Sequence, residues 1–265
     1  MLRTRLATAA VAIPGIWLVT RYLPPPLFAG FIVAVTAVGL YEYFGMAFPE
    51  RPLARFAGVG WGILLAGGVV SLRPEVWGAV LAGGLMVGLL LVVLAGSDDL
   101  GAATQRLGIT LLGVLYVGFF TPHIVLLRAP GEGWRLVLFT VFVAMGSDTG
   151  GYFAGRSFGR HKLAPAVSPS KTVEGALGAV AGAVVIAAAC RVVFVRALPP
   201  AECLIVGGVI SILAQLGDLA ESALKRAFGA KDSGWIIPGH GGILDRLDSL
   251  LFPFVFTYYY AALRA

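Results

Sequence analysis

Glu202 to Arg226, ECLIVGGVISILAQLGDLAESALKR, is an apolar run that turns polar before it ends. Its 25 residues would span about 37 Å as a helix, against a hydrocarbon core of about 30 Å. The last turns therefore emerge into the headgroup layer. Asp218, Glu221, Ser222 and Lys225 fall at i, i+3, i+4 and i+7, one face of that helix. Ionisable side chains at membrane depth are costly unless paired or facing a wet cavity. A polar stripe that starts inside the membrane and leads to its surface is thus a candidate site. The plainer reading of Glu221 and Lys225 is a solvated helix end with an i, i+4 ion pair. It leaves Asp218 unexplained.

The rest of the chain agrees with a membrane setting. It is 58% hydrophobic and only 13% charged, whereas a soluble domain carries about 25% charged residues. Mean hydropathy is +0.88. Nine apolar runs lie between charges, Pro and Gly, at about 6–23, 27–48, 56–72, 76–96, 107–127, 135–155, 175–195, 202–226 and 247–263. Each is near the length that crosses a bilayer, the third and ninth being short. The expected fold is all-α, a polytopic membrane helix bundle of about nine transmembrane helices. It forms a single integral membrane domain over 1–265, with N-terminal helices to about 134 and catalytic helices and loops from about 135. Met1-Leu-Arg-Thr-Arg5 opens the first run like a signal peptide, but without a cleavage site before Arg21 it is read as a retained helix.

Basic residues set the orientation. With the N-terminus cytoplasmic, 13 of the 20 Lys and Arg fall on the cytoplasmic side, together with both polar segments, 156–174 and 227–246. The net charge of +6 is spread over short loops, so it suits anionic lipid and nucleotide phosphates rather than nucleic acid. Cys190 and Cys203 stand alone and imply neither a disulfide nor a zinc site. Glycines four apart, Gly84/Gly88, Gly146/Gly150, Gly151/Gly155 and Gly178/Gly182, predict close helix packing within the chain, or else a dimer seam.

Beyond the helix end, the run from Ser222 to Asp248 reads SALKRAFGAKDSGWIIPGHGGILDRLD. Glycine permits tight turns and close approach of backbone to a ligand, and successive N–H groups in such a loop can cradle phosphate oxygens. Asp245, Arg246 and Asp248 follow at the mouth of the ninth run. A helical hairpin would bring Asp218 and Asp245 to one depth, and two carboxylates without stronger ligands suit Mg²⁺. Upstream, Ser147-Asp-Thr-Gly-Gly places Asp148 in apolar surroundings. Ser168-Pro-Ser-Lys-Thr-Val-Glu174 sets Lys171 and Thr172 before the seventh run. Lysine there can hold a phosphate at a helix N-terminus, and Ser170 or Thr172 can serve as its N-cap. Glu42, in Leu40-Tyr-Glu-Tyr-Phe44, is another intramembrane carboxylate with no partner visible in the sequence, and it is weighed as a lining residue of a substrate cavity.

The run from Ser222 to Asp248 resembles, position by position, the signature of the phosphatidate cytidylyltransferases, the CDP-diacylglycerol synthases. The segments SDTGGYFAGR and SPSKTVEG are similar to other typical stretches of that family, so the resemblance covers roughly 147–248. Ser170 departs from it, standing where members often carry Lys. The resemblance implies a multi-pass enzyme of a bacterial-type inner or cell membrane. It would convert CTP and phosphatidate to CDP-diacylglycerol and pyrophosphate at the cytoplasmic face, for phospholipid biosynthesis. It further implies a Mg²⁺ dependence with Asp218 and Asp245 at the metal, a second cation such as K⁺, and a homodimer. In that scheme Asp218, Asp245, Lys225 and Arg226 are catalytic. Substrate contacts fall to Ser168, Lys171, Thr172, Asp148, Ser222, Lys231, Asp232, His240, Gly241, Gly242, Arg246 and Asp248, with the loop Gly239–Gly242 on the triphosphate. A phosphate monoester has a second pKa near 6, so the attacking lipid phosphate needs no general base. Two other readings compete. One is a CTP-dependent kinase of a lipid alcohol such as dolichol or phytol, which would need a base; the other is a transporter using its carboxylates as ion sites.

Overall fold

Proline decides where several of the helices begin. Pro25, Pro52, Pro74 and Pro200 each stand at the first helical position, where the fixed φ is already helical and the missing N–H costs nothing. The computed structural model describes residues 14–94, 99–129, 131–234 and 241–264. Residues 14–22 are helical (α1). They are followed by α2 Pro25–Ala47, α3 Pro52–Val70, α4 Pro74–Leu94 and α5 Leu100–Gly113. A π-helical turn, Val114–Phe119, leads from α5 to α6 His123–Arg128. The chain then forms α7 Gly133–Phe158, a hairpin of β1 Lys162–Ala164 and β2 Ser168–Thr172, α8 Val173–Val193, α9 Pro200–Ala227 and α10 Leu244–Arg264.

With α5 to α6 taken as one span, Leu100–Arg128, helices fall on all nine apolar runs. Among the described residues, seven of these are long and apolar enough to cross a membrane. The third and ninth prove longer than expected, at 19 and 21 residues. Pro52 starts α3 before Arg55, and α10 draws Asp245 and Arg246 into its first turn. The polar segment 156–174 is not a plain loop. Its antiparallel hairpin pairs Lys162 with Thr172 and Ala164 with Ser168.

Packing follows the small residues. α7 and α8 cross where Gly146 and Gly150 meet Gly178 and Gly182, close enough that a methyl on Gly150 would strike the Gly178 carbonyl and come within 3.0 Å of Gly182 Cα. Gly84 and Gly88 likewise admit Trp61 and Leu107. The glycine pairs thus serve packing inside the chain. Gly150→Leu is expected to force α7 and α8 apart and destabilise the protein by about 1–3 kcal/mol or more, read as a lower unfolding midpoint in detergent. An unchanged midpoint would contradict this packing.

Three apolar clusters complete the bundle. One joins α2, α3, the π turn and α10 around Tyr43, Phe44, Val117 and Leu251. Another joins α7, α8 and α9 around Phe139, Ala183 and Ile210. The last sets Phe254 of α10 against Phe28, Leu127 and Val137. Both cysteines are buried and free, as the sequence implied. Helix α10 therefore packs against both the N-terminal helices and α7, and its first turn lies where they meet.

Candidate active site

Two devices bring the polar ends of α7, α9 and α10 together. Ser147 and Ser211 share a buried hydrogen bond of 2.7 Å between α7 and α9. This fixes Asp148, the next residue, relative to α9. Further along α9, Gly217 lies against the backbone of Asp248 and Ser249, with no room for a side chain. Asp218 is nine residues from the end of α9, about 14 Å along its axis. Since α10 begins beside it, the connecting segment must turn back to that depth.

Asp148, Asp218, Asp245 and Asp248 line one cavity of about 280 Å³, together with Arg246. Its remaining lining is Val141, Ala144, Met145, Ser249 and Leu250, so it passes from acidic to apolar between α7 and α10. Asp148 and Asp218 also line a second cavity, of about 490 Å³, between α7, the hairpin, α8 and α9. That one carries Arg156, Lys171, Ser170, Thr172, Tyr152 and Gln215. Two chambers of different chemistry share one carboxylate wall.

The contacts at each carboxylate differ. Asp218 pairs with Lys171 at 2.6 Å and accepts a weak bond from Ser222 Oγ at 3.4 Å. Its side chain is 35% exposed. Asp245 is held on every side. Oδ1 meets Lys225 Nζ at 2.6 Å, and Oδ2 accepts from Ser233 N at 3.0 Å, Ser233 Oγ at 2.8 Å and Gly242 N at 2.8 Å. Its side chain is 8% exposed. Asp245 thus serves as the clasp of the returning segment, and only Oδ1 retains capacity for a further partner. Asp248 accepts from Ser249 N at 2.6 Å.

Glu221 departs from its expected place. It does face Lys225, at 3.4 Å, but it is fully buried rather than at a solvated helix end. Helix α9 packs against α10 here, and Tyr116 of the π turn, also buried, has a hydroxyl without a partner among the described residues. Glu42 is also displaced from its expected role. It lines neither cavity; it is 4% exposed and bonded to the start of α10.

The hairpin positions Lys171. Thr172 caps α8, its Oγ1 accepting from Gly175 N at 3.1 Å. Glu174 reaches back to the N–H groups of Arg160 and His161 and to His161 Nδ1, the last at 2.6 Å. β2 is therefore tied to the end of α7, and Lys171 is turned toward Asp218. Several expected contacts are not brought to the cavities. Arg226 is exposed and donates to Ala230 O at 3.3 Å, closing the end of α9. Lys231 and Asp232 are exposed, and neither they nor Ser168 line either cavity. The N–H of Gly242 is spent on Asp245 rather than turned outward, and Gly241 supplies the turn with φ +77°. His240 and Gly239 lie outside the described residues. Gln215, Arg156, Ser147 and Ser233 had no role in the sequence reading, because neither facing a cavity nor bridging two side chains is marked until the helices are packed.

The family model for the cytidylyltransferase family matches residues 3–264. The chain belongs to this family. It is 34% identical to a phosphatidate cytidylyltransferase of Brucella suis over an alignment covering all of this chain and 94% of the relative. It is 41% identical to a protein of the same name in Bacillus subtilis, over 60% of each chain. A Staphylococcus epidermidis protein, also so named, is 43% identical over 54% of each. The multi-pass helical bundle and the carboxylate wall therefore belong to a cytidylyltransferase.

Proposed function

We propose that this chain transfers the cytidylyl group of CTP to phosphatidate, giving CDP-diacylglycerol and pyrophosphate at the cytoplasmic face of a bacterial membrane. The observation that carries this reading is the pair of cavities sharing Asp148 and Asp218. A lipid phosphate needs a chamber that is charged at one end and apolar at the other, as the α7–α10 cavity is. A nucleotide triphosphate needs cations and hydroxyls, as Lys171, Arg156, Ser170 and Thr172 provide in the other. The Lys and Arg bias, 13 to 7 of the 20, supports the cytoplasmic face for this end.

Among the described residues no group of three His, Cys, Asp or Glu is spaced to hold a metal unaided. Mg²⁺ rarely asks for that, since it takes one or two carboxylates and leaves its other positions to phosphates and water. The donor set fits, with Asp218 and Oδ1 of Asp245 as the residues that would hold it. Asp148 and Asp248 in the same cavity remain for a second cation such as K⁺. Bound there, Mg²⁺ would draw charge from the phosphates and stabilise the leaving pyrophosphate.

The reaction joins a lipid phosphate oxygen to the α-phosphorus of CTP as the bond to pyrophosphate breaks. Because the phosphate is largely a dianion at neutral pH, the chain has no proton to remove. Its task is to bring two anions together. Lys171 and Arg156 neutralise the triphosphate from the hairpin side, and Arg246 the lipid phosphate from α10. Lys225, bonded to Asp245, keeps that carboxylate facing the cavity. Purified protein given CTP, phosphatidate and Mg²⁺ is expected to release pyrophosphate and CDP-lipid in equal amounts. With a lipid alcohol such as dolichol supplied in place of phosphatidate, CDP and a newly phosphorylated lipid would mark a kinase instead, and no turnover on either lipid would favour a transporter. A homodimer is part of the same proposal, and mass measurement of the detergent-solubilised protein tests it.

A further inference from the structure

The start of α10 poses a problem that the sequence near it does not solve. The first four N–H groups of a helix have no partner within it, and at membrane depth irregular backbone is tolerated only where protein or a wet cavity satisfies it. Here the N–H groups of Ile243, Leu244 and Asp245, and that of Gly242 just before the helix, all find side chains, while Arg246 N turns to Ile243 O at 3.0 Å. Gly242 N donates to Asp245 Oδ2 at 2.8 Å, and Asp245 N to Ser233 Oγ at 3.3 Å. Between them Ile243 N donates to Glu42 Oε1 at 3.1 Å and Leu244 N to Glu42 Oε2 at 2.8 Å. The cap of α10 is thus completed by a carboxylate from α2, some 200 residues earlier. An anion at that helix end is also favoured by the helix dipole.

Glu42 and Asp245 are linked through Ser233, whose Oγ lies 3.4 Å from Glu42 Oε2 and 2.8 Å from Asp245 Oδ2. Gly234 and Gly242 press against the Glu42 carboxylate, and a methyl on either would come within 2.5 Å of it. Since Glu42 faces neither cavity, it touches no reacting group. It acts on the residues that do.

We propose that Glu42 is a positioning residue for Asp245, holding the first turn of α10 and the Ser233 clasp so that Asp245 Oδ1 faces the acidic cavity. The proposal rests on the cytidylyl-transfer reading for its activity test, but not for its binding test. Glu42→Gln keeps the shape and sets an NH₂ group against one of the two N–H donors. Turnover is expected to fall roughly tenfold, the scale on which outer partners of metal ligands act, with KM for CTP and phosphatidate within about twofold. Mn²⁺, titrated by its paramagnetic resonance signal without substrate, should bind roughly tenfold more weakly. Glu42→Asp, which keeps the charge, should recover part of both losses. Ser233→Ala, the milder change, should move both in the same direction.

A lower unfolding midpoint with unchanged Mn²⁺ affinity and unchanged turnover would overturn the proposal and leave Glu42 a folding residue only. Should the wild type make no CDP-lipid, the function reading fails while the Mn²⁺ titration still decides. Should it bind no Mn²⁺ either, amide exchange decides: faster exchange confined to 242–250 in Glu42→Gln supports the positioning, and unchanged exchange overturns it.

Discussion

Asp245→Asn is expected to remove most of the activity and a large part of the stability together. Asparagine offers one carbonyl oxygen and one NH₂ where the carboxylate offered two acceptors. In one orientation the NH₂ meets the ammonium of Lys225; in the other it meets the N–H and hydroxyl of Ser233 and the N–H of Gly242. Lys225, only 13% exposed, would keep Glu221 alone as its counter-charge. Breaking a buried ion pair costs about 3–5 kcal/mol. Turnover should drop roughly a hundredfold or more, since a charge aimed at the reacting phosphates is lost. Thermal unfolding in detergent and CDP-lipid formation measure the two effects, and a variant that keeps its unfolding midpoint would show that the clasp does not hold the loop.

Asp218→Asn should separate what Asp245→Asn combines. The Lys171–Asp218 pair is partly exposed, 23% and 35%, and exposed pairs contribute about 0–1 kcal/mol. Stability should therefore change little. Activity should still fall by about 10² to 10³, and raised Mg²⁺ should restore part of it. Near-normal turnover at limiting Mg²⁺ would remove Asp218 from the metal assignment. The contrast between the variants distinguishes a carboxylate that builds the loop from one that faces only the cavities.

The helical class, the nine runs and the polar face from Asp218 to Lys225 were legible because each depends on local periodicity or composition. Apolar runs of bilayer length have few alternatives, and residues at i, i+3 and i+4 share a face in any helix. Glu221 shows the limit of that reasoning. Its pairing with Lys225 follows from spacing, but its burial follows from the packing of α9 against α10, which no local pattern announces. Arg226 lies apart from the cavities for a related reason. It neighbours Lys225 in sequence, yet one residue on a helix turns the side chain about 100°, away from the Asp245 carboxylate that Lys225 meets.

What the sequence by itself determined is the set of membrane helices and the candidate carboxylates, since the bilayer limits both the length of a span and the charges it tolerates. The tertiary structure alone decided which carboxylates face a cavity and which hold the backbone. Asp148 and Asp218 became a shared wall when Ser147 met Ser211 and Gly217 met α10. Glu42 became a helix cap because α2 passes the start of α10. A carboxylate on an apolar helix announces only that its charge needs a partner. Whether that partner is a ligand or an N–H group 200 residues away is settled by packing, which local sequence does not encode.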